Sequence, residues 1–310
     1  MSLRGVALAA AAGAAFLTWA CAADPGAPTE GAGATASQAV IRIFPRGPVD
    51  GQPFGGLSGL AWDNNAKALI AVSDRGDAFS MPTRPEDPAR FVAKLRRPSR
   101  MFDPEALLWQ PEGRWIVAFE GGGGLGFYRG AAAALGETPE AVLRPKAWSE
   151  LPENARIETL AALDFGRLFA IAEGGTGAER QAWIIDGAVL SPRSYPIEQG
   201  FLPVDATALP NGDILVLERR FNGFIPPFFS TRLALIPASS LDASDGPLAV
   251  SQRREMTGIL PSENWEGVTL AAGPSGALIW LVSDDNFQWP QRTLLARMPL
   301  EYVIDLMRPR

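Results

Sequence analysis

Histidine is absent from the 310 residues of this chain. Its absence excludes Ser-His-Asp and Cys-His catalysis, histidine-ligated zinc and a histidine general base. Cys21 is the single cysteine, so the chain forms neither an internal disulfide nor a thiolate metal cluster. Any chemistry must therefore come from carboxylates, arginines, lysines, backbone groups or a hard metal ion.

An excess of basic residues is also lacking, since the net charge is −6 and the sequence pI is about 5.0. Bulk charge therefore argues against a nucleic-acid partner and against coating of an anionic membrane. Hydrophobic residues make up 47% of the chain and charged residues 20%, which is ordinary for a folded globular protein. The 32 glycines and 27 prolines suit many tight turns between short strands.

The N-terminus has the pattern of an export signal. Met1–Arg4 carries one positive charge, and the apolar run Gly5–Ala20 that follows is too short for a confident transmembrane span. Residues 1–22 are therefore predicted to be a signal peptide, cut either before Ala23 or before Cys21. The second cut would leave Cys21 as a lipidated membrane tether. Both alternatives place the protein in the periplasm or cell envelope.

Residues 23–38 are rich in proline, glycine, alanine and threonine. Such a composition cannot build a core and predicts a flexible linker. Folding is expected to begin near residue 39, where AVIRIF has the pattern of a strand. The folded domain is therefore predicted to span residues 39–310.

One sequence pattern recurs five times in this domain. Each copy has an acidic or hydroxyl residue, a short apolar run, a turn, a β-rich run and a second acid that opens a glycine- or asparagine-rich loop. Successive copies begin about 50 residues apart, a period typical of repeat architectures, and four short strands per copy indicate propeller blades. We predict an all-β fold, a β-propeller with five blades. A sixth, degenerate blade built from both chain ends is the alternative.

The runs within each copy predict its strands. The first run predicts an inner strand that lines the propeller axis, and the turn after it predicts a hairpin. Second runs such as ALIAVS are almost continuously apolar, which predicts strands buried on both faces between neighbouring blades. The strand near Val40 is expected to join the last blade and close the ring, because closure removes exposed sheet edges.

Polar residues recur at two positions of the copy. The first position, at the start of the inner strand, is occupied by Ser58, Glu105, Glu158, Asp205 and Glu266. The second position, one hairpin later, is occupied by Asp74, Glu120, Glu173, Glu218 and Asp284. A hairpin returns the chain to the end where it started, and equivalent positions of a propeller converge around its axis. Two rings of carboxylates are therefore predicted at one mouth of the propeller.

Carboxylates crowded around one axis repel one another and raise their pKa values unless cations neutralise them. An all-oxygen set without histidine suits a divalent metal such as Ca²⁺ or Mg²⁺. The predicted metal ligands are Glu105, Glu120, Glu158, Glu173, Asp205, Glu218, Glu266 and Asp284. The alternative is structural, since an acid at the start of an inner strand can simply accept backbone N–H bonds from the neighbouring blade.

Arginines follow several ring acids directly in the sequence. Arg75 and Arg219 are predicted to orient an anionic ester, with Glu158 and Glu266 as the catalytic carboxylates. Ion pairs with the ring acids, or on the surface, are the alternative role for these arginines and for Arg220. The phenylalanines that follow Glu218 predict core packing, with a lid or partner surface as the alternative.

Several segments resemble the bacterial family known for the esterase-like activity of phytase. They are GLSGLAWD with VSDRG, FDPEALLW, NARIETLAAL with IAEGG, and above all ENWEGVTL with LVSDDNFQWPQRTLLA. The resemblance covers roughly residues 40–300, and its most specific part is Glu263–Leu300. It implies a β-propeller of the cell envelope with phosphoesterase or esterase activity.

Two functions of different classes remain open at this point. The first is a hydrolase that uses a divalent metal to cleave a small anionic ester, most simply a phosphoester, with a lactone or carboxylester as the sibling substrate. The second is a non-catalytic binding or scaffold propeller of the envelope that is stabilised by Ca²⁺. A monomer is expected in either case.

Overall fold

Short antiparallel strands dominate the chain, as expected for apolar runs rich in β-branched and aromatic residues between turn residues. The computed structural model describes residues 39–308, apart from residues 154, 176, 225–226, 243–245 and 274–275. They belong to one compact unit, Ser37–Arg310. The signal peptide, the linker and the Cys21 tether of the sequence analysis lie outside the described residues and stay predictions.

Within the described residues, five four-stranded antiparallel sheets form the blades, each ordered from the axis outwards. Blade 1 contains β4 Leu57–Asp63, β5 Ala68–Ser73, β6 Asp77–Met81 and β7 Arg90–Lys94. Blade 2 contains β8 Phe102–Gln110, β9 Arg114–Gly121, β10 Gly124–Arg129 and β11 Ala141–Leu143. Blade 3 contains β12 Ile157–Ala162, β13 Leu168–Ala172, β14 Glu179–Asp186 and β15 Val189–Pro196. Blade 4 contains β16 Leu202–Ala208, β17 Ile214–Phe224, β18 Pro227–Ile236 and β19 Gln252–Glu255. Blade 5 contains β20 Asn264–Gly273, β21 Gly276–Asp284, β22 Leu294–Pro299 and β1 Val40–Ile43.

Few elements lie outside the blades in the described part of the chain. A two-stranded ribbon joins blade 5 to blade 1 and contains β2 Gly47–Val49 and β3 Gln52–Phe54. The α-helices are α1 Lys146–Ser149, α2 Ala238–Leu241 and α3 Leu300–Met307. None of these described helices has the length and apolar character needed to span a membrane.

The ring is closed by the strand at the start of the described chain. β1 pairs antiparallel with β22, with Val40 opposite Arg297 and Ile43 opposite Leu294. The innermost strands contact one another in the cyclic order β4, β8, β12, β16, β20 and back to β4. The described residues therefore form five blades, with β1 completing the fifth, as predicted from the sequence.

The second strand of each blade is buried because it lies between two neighbouring blades. In β13 all five residues are buried. Leu168, Ala170 and Ala172 contribute to the apolar cluster shared with blade 2. Phe169 and Ile171 contribute to the cluster shared with blade 4, since successive side chains of a strand point to opposite faces. Full burial of a leucine, isoleucine or phenylalanine side chain stabilises the fold by about 1.5–3 kcal/mol.

The helix α3 covers the apolar interface of blades 4 and 5. Its residues Val303 and Met307 are buried in the apolar cluster of these two blades, and the helix contacts β19, β21 and β22. These contacts attach the end of the described chain to the same blade that β1 closes.

Candidate functional site

A local irregularity of the inner strands positions the first ring. In four blades the pairing between the first and second strand skips one residue: Ser58, Glu105, Glu158 or Glu266. A residue skipped in this way forms a β-bulge, which leaves it unpaired and re-aims its side chain. Because the bulge recurs at the same place in each repeat, these four residues are structurally equivalent and lie at the same mouth.

Blade 4 departs from this register by one residue. Its pairing skips Val204, between Pro203 and Asp205. The structural counterpart of Glu105 in blade 4 is therefore Val204. Asp205 was expected to be this counterpart, and the structure corrects that equivalence.

Asp205 instead has a bridging role between blades. Its carboxylate accepts the N–H of Ala206 at 2.9 Å and the N–H of Val268, on β20 of blade 5, at 2.7 Å. The side chain is buried, with 1% exposed. This matches the structural alternative of the sequence analysis, in which an acid accepts backbone N–H bonds from the neighbouring blade.

The second ring follows from the same register. In each blade, the second-ring residue lies at the end of the second strand, opposite the residue two positions before the bulge. Asp284 pairs with Asn264 in blade 5, and the N–H of Asp74 donates to the carbonyl of Gly56 in blade 1 at 2.9 Å. Glu120 and Glu173 occupy the equivalent place in blades 2 and 3, beside Asp103 and Arg156.

In blade 4 this place is taken by Arg219, which pairs with Leu202. Glu218 was expected there, but it lies one residue earlier on β17, where its side chain points to the opposite face. Blade 4 therefore contributes an apolar residue to the first ring and an arginine to the second. This blade departs from the acidic pattern in both rings, whereas blade 1, with Ser58, departs from it only in the first.

Glu218 belongs to a buried polar network away from the rings. Its carboxylate accepts the hydroxyl of Tyr195 at 2.7 Å and Nε of Arg232 at 2.5 Å. Nε of Arg253 lies 3.6 Å from the same carboxylate. With no exposed surface, Glu218 links β15 of blade 3 to β18 of blade 4. Its contacts are those of a structural group.

Arg219 lies among the ring carboxylates and links three blades. Nη2 donates to Glu173 of blade 3 at 3.1 Å, and Nη1 donates to Glu266 of blade 5. Nη1 also donates to Oδ1 of Asn264 at 2.5 Å, and Nδ2 of Asn264 donates to Glu266 at 2.7 Å. Arg219 therefore neutralises the side of the mouth that is formed by blades 3 and 5.

Among the described residues, Glu105 and Glu120 on the opposite side of the mouth form no salt bridge, although the charge of Arg156 partly opposes the rise that burial causes in the pKa of Glu120. Carboxylate oxygens of Asp103, Glu105 and Glu120, all from blade 2, lie within 4.8 Å of one another. Three convergent oxygens are a donor set that a hard divalent cation accepts. This acidic cluster could bind a metal, and we call it the blade 2 cluster.

Asp103 and Asn264 were not among the site residues expected from the sequence. Each lies two residues before the bulged acid of its blade, in FDPEALLW and ENWEGVTL respectively. Asp103 has a left-handed backbone, with φ of 59°, and the equivalent Gly56 of blade 1 has φ of 60°. Aspartate tolerates this conformation better than most side chains. Only the position relative to the bulge identifies these two residues.

Burial and mutual repulsion dominate the electrostatics of the site. Burial raises the pKa of Glu105 well above its ordinary value, and the charges of Glu158 and Glu266 raise it further. Burial likewise raises the pKa of Glu158, with Glu173 adding to the effect and Arg219 opposing it. Burial, together with the charge of Asp103, raises the pKa of Glu120 to about 7.

The same causes raise the pKa values of the second-ring acids of blades 5 and 1. Burial and the charge of Glu266 raise the pKa of Asp284 well above its usual range, although the N–H of Asn286 donates to it at 2.6 Å. Burial raises the pKa of Asp74, and Asp103 contributes. A positive ion at the mouth would favour the ionised forms of all these groups.

Three further arginines lie close to ring residues in the sequence. Arg75 is exposed, and its guanidinium lies 3.5 Å from the ring centroid of Phe287. Arg156 donates to the backbone carbonyl of Glu120 at 3.1 Å. Arg220 donates to the carbonyl of Gln199 at 3.1 Å and does not contact the ring acids that Arg219 pairs with. Arg75 is thus the arginine best placed to meet a ligand from solvent.

Comparison with known proteins adds the family. The Phytase-like family, described as esterase-like activity of phytase, matches residues 52–287. Comparison with curated protein sequences gives no match.

Solved structures of similar fold have low sequence identity to the chain. A glucose dehydrogenase is 13% identical over 84% of this chain and 99% of its own, with a TM-score of 0.49. A luciferin-regenerating enzyme is 12% identical over 84% and 95%, with a TM-score of 0.48. A gluconolactonase from Xanthomonas campestris is 12% identical over 81% and 74%, with a TM-score of 0.45.

The family match is a match of sequence, and residues 52–287 are well over half of the chain. It includes every ring position from Ser58 to Asp284. The chain therefore belongs to the Phytase-like family, the family of the esterase-like activity of phytase.

Proposed function

We propose that the protein is a hydrolase of anionic esters, with a phosphoester as the favoured substrate, assisted by a divalent metal at the blade 2 cluster. The observation that carries the proposal is the convergence of Asp103, Glu105 and Glu120 within 4.8 Å, on the side of the mouth that Arg219 does not neutralise. Family membership supports an ester as the substrate.

The donor chemistry fits Ca²⁺ or Mg²⁺, since every available ligand is an oxygen. When bound, such an ion supplies Lewis-acid polarisation of an ester or phosphoryl oxygen. The ring acids next to the cluster have raised pKa values, so a bound cation would also return them to the ionised form.

Glu158 is proposed as the general base. It lies at the bulge of β12 in blade 3, and β12 contacts both β8 of blade 2 and β16 of blade 4, the blade of Arg219. A group in this position can accept a proton from water once its own proton has been displaced. Glu266 has a different environment, because it is bonded to Arg219 and Asn264. Its proposed role is to hold Arg219 and stabilise charge at the mouth.

Arg75 is proposed to orient the anionic group of the substrate. Its guanidinium is exposed at the mouth and stacked on Phe287, which limits its motion. Arg219, the other arginine expected to have this role, already donates to two carboxylates. Its charge is therefore largely compensated by these two ring carboxylates.

Thermal unfolding of the metal-stripped protein, titrated with Ca²⁺, Mg²⁺ and Mn²⁺, tests metal binding. At an ion concentration of 100 Kd the expected stabilisation is about 2.7 kcal/mol, a rise in Tm of roughly 5–10 °C. Glu105→Gln should abolish this rise. In the absence of metal it should melt no lower than the wild type, because it removes a buried repulsive charge.

Glu112→Gln is the matched control, since Glu112 is an exposed acid in the turn at the opposite end of blade 2. It should keep the full metal-induced rise. Hydrolysis of p-nitrophenyl phosphate, a p-nitrophenyl carboxylester and a lactone is then measured with the stabilising ion. No rise in Tm with any ion, or a rise that Glu105→Gln leaves intact, would disprove the metal site.

A non-catalytic propeller that uses Ca²⁺ only for stability is the second candidate. Asp205 and Glu218 favour it, because both are repeat acids with purely structural contacts. This function predicts the same metal-induced rise in Tm with no turnover of any ester. Turnover that is lost in Glu158→Gln while the rise in Tm is retained would exclude it.

Export to the periplasm or cell envelope, with Cys21 as a lipid tether, is part of the proposal. It is supported by the residue pattern of positions 1–22 alone. Metabolic labelling with a radioactive fatty acid, compared between the wild type and Cys21→Ser, tests the tether.

A further inference from the structure

Aromatic side chains are exposed mainly at the mouth that holds the rings. Among the described residues, the large exposed aromatic side chains are Phe102, Phe165, Phe221, Phe228 and Trp289. Phe165 lies in the turn between β12 and β13, at the opposite end of the propeller. Of the other four, Phe102 precedes Asp103, Trp289 follows Asp284 by five residues, and Phe221 and Phe228 lie in the part of the β17–β18 hairpin beyond Arg219. Exposed aromatic groups gathered at one site are typical of a binding surface.

The most exposed of these four is Trp289, with 84% of its surface open to solvent. It lies in residues 285–291, which directly follow the ring acid Asp284 and which we call the rim loop. The same loop contains Phe287, the ring on which Arg75 stacks at 3.5 Å. The rim loop therefore presents two aromatic rings beside the ring acids, and one of these rings contacts the guanidinium of Arg75.

Hydrogen bonds attach the rim loop to the mouth. The carboxylate of Asp285 accepts the N–H of Gly56, on the blade 1 side, at 3.1 Å and the N–H of Phe287 at 3.0 Å. The N–H of Asn286 donates to Asp284 at 2.6 Å. The position of the two aromatic residues is thus coupled to a ring acid and to blade 1.

A second set of bonds supports the far side of the loop. Arg46 donates to the carbonyls of Gln288 and Gln291, the latter at 2.7 Å. Nδ2 of Asn286 donates to the side chain of Gln291 at 2.9 Å. These contacts lie on both sides of Trp289, so the exposed indole stands on a supported backbone.

The backbone of the rim loop is strained at its aromatic end. Asn286 and Phe287 have φ values of 47° and 52°. A left-handed conformation is unfavourable for a bulky residue such as phenylalanine, and strain of this kind concentrates at ligand-binding sites. The N–H groups of these two residues donate to Asp284 and Asp285, so the ring acid and its neighbour hold the loop in this conformation.

Two other blades present aromatic groups on the same mouth. Phe102 precedes Asp103 of the blade 2 cluster, pairs with Gly121 and is 45% exposed. Phe228 is 50% exposed and lies on β18, in the part of the β17–β18 hairpin that extends beyond Arg219. Exposed aromatic groups are therefore present on blades 2, 4 and 5, on the chain segments next to ring residues of those blades.

We infer that the rim loop, through Trp289 and Phe287, binds an aromatic or apolar group of the ester, so that the substrate is an aryl or similarly apolar anionic ester. The inference rests on the proposed function for the reaction that follows binding. Arg75 meets the anionic part, while Trp289 covers the apolar part outside the acidic centre. An ester with an aromatic group is therefore expected to bind more tightly than a small, fully polar phosphoester.

Binding of two inert anions tests the inference without turnover. Affinities for phenylphosphonate and methylphosphonate are measured by calorimetry in the presence of the divalent ion that raises Tm most. The wild type should bind phenylphosphonate about 2- to 12-fold more tightly, the range expected for one aromatic contact. Trp289→Ala should remove this preference, and Trp289→Phe should restore most of it.

Phe165→Ala is the matched control, because it removes an exposed aromatic group at the opposite end of the propeller. It should leave the preference unchanged. Equal affinities in the wild type, or no binding of either anion, overturn the inference. So does co-sedimentation with phosphatidylglycerol vesicles that depends on Trp289 without any phenyl preference. A phenyl preference without hydrolysis of p-nitrophenyl phosphate, the carboxylester or the lactone overturns only the proposed function.

Discussion

The stability of the Arg219→Met variant tests whether one internal arginine holds the carboxylate rings together. The guanidinium donates to Glu173 at 3.1 Å and to Glu266, and these two carboxylate side chains are 19% and 14% exposed. Methionine keeps much of the apolar stem and removes the charge. Loss of one partner of a buried ion pair costs about 3–5 kcal/mol, because the remaining charge is uncompensated. For a domain of this size the expected decrease in Tm is roughly 6–20 °C.

The pH dependence of this loss follows from the pKa of Glu266. Burial raises this pKa above the ordinary value of 4.5, and Arg219 opposes the rise. Without the arginine the folded-state pKa rises further, while that of the unfolded chain stays the same. The unfolded state then releases its proton first, so stability falls as pH increases above about 4.5. The loss of stability in Arg219→Met, relative to the wild type, should therefore be largest at neutral pH and above and should become smaller towards pH 4.5.

The assay is thermal unfolding of the metal-stripped protein, followed by circular dichroism between pH 5 and pH 8. Arg220→Met is the control, since Arg220 is the next residue of β17 and donates to Gln199 and Asn222 instead of the ring. A loss of less than about 1 kcal/mol, equal in both variants and independent of pH, would refute the role of Arg219 as counter-ion of the rings.

Two further predictions separate structural acids from metal ligands. Glu218→Gln should destabilise the protein by about 3–5 kcal/mol, because it leaves the buried Arg232 unpaired. The rise in Tm caused by metal should stay as in the wild type. Loss of this rise in thermal unfolding would assign Glu218 to the metal site instead. Metal affinity should be about tenfold higher at pH 8 than at pH 6, because burial raises the pKa of Glu120 to about 7 and its proton competes with the ion. Calorimetric titration at the two pH values checks this, and the pH effect should be smaller in Glu120→Gln than in the wild type.

Much of the fold follows from the sequence, because propeller repeats are local. Each copy contains its own apolar runs and turn residues, so five copies predict five blades, and the structure confirms this number. The apolar second runs predict burial on both faces, as in β13. The closing role of the strand near Val40 was predictable too, because an unpaired last blade would leave an exposed edge.

The site was predictable only where the repeats share one register. Glu105, Glu158 and Glu266 occupy the bulge of their inner strands, and the recurring bulge places them at one mouth. In blade 4 the bulge lies one residue earlier, at Val204. The polar residues of that blade still look equivalent in the sequence, since Asp205 and Glu218 stand where an acid is expected.

A shift of one residue reverses the face to which a strand side chain points. It therefore turns Asp205 and Glu218 towards structural partners and brings Arg219 into the ring. The sequence by itself determined the propeller, its five blades and the acidic character of its mouth, because these depend on periodicity within each repeat. Only the tertiary structure decided which acids meet, where Asp103 completes a cluster and which aromatic groups stay exposed, because these depend on the pairing register and on contacts between blades.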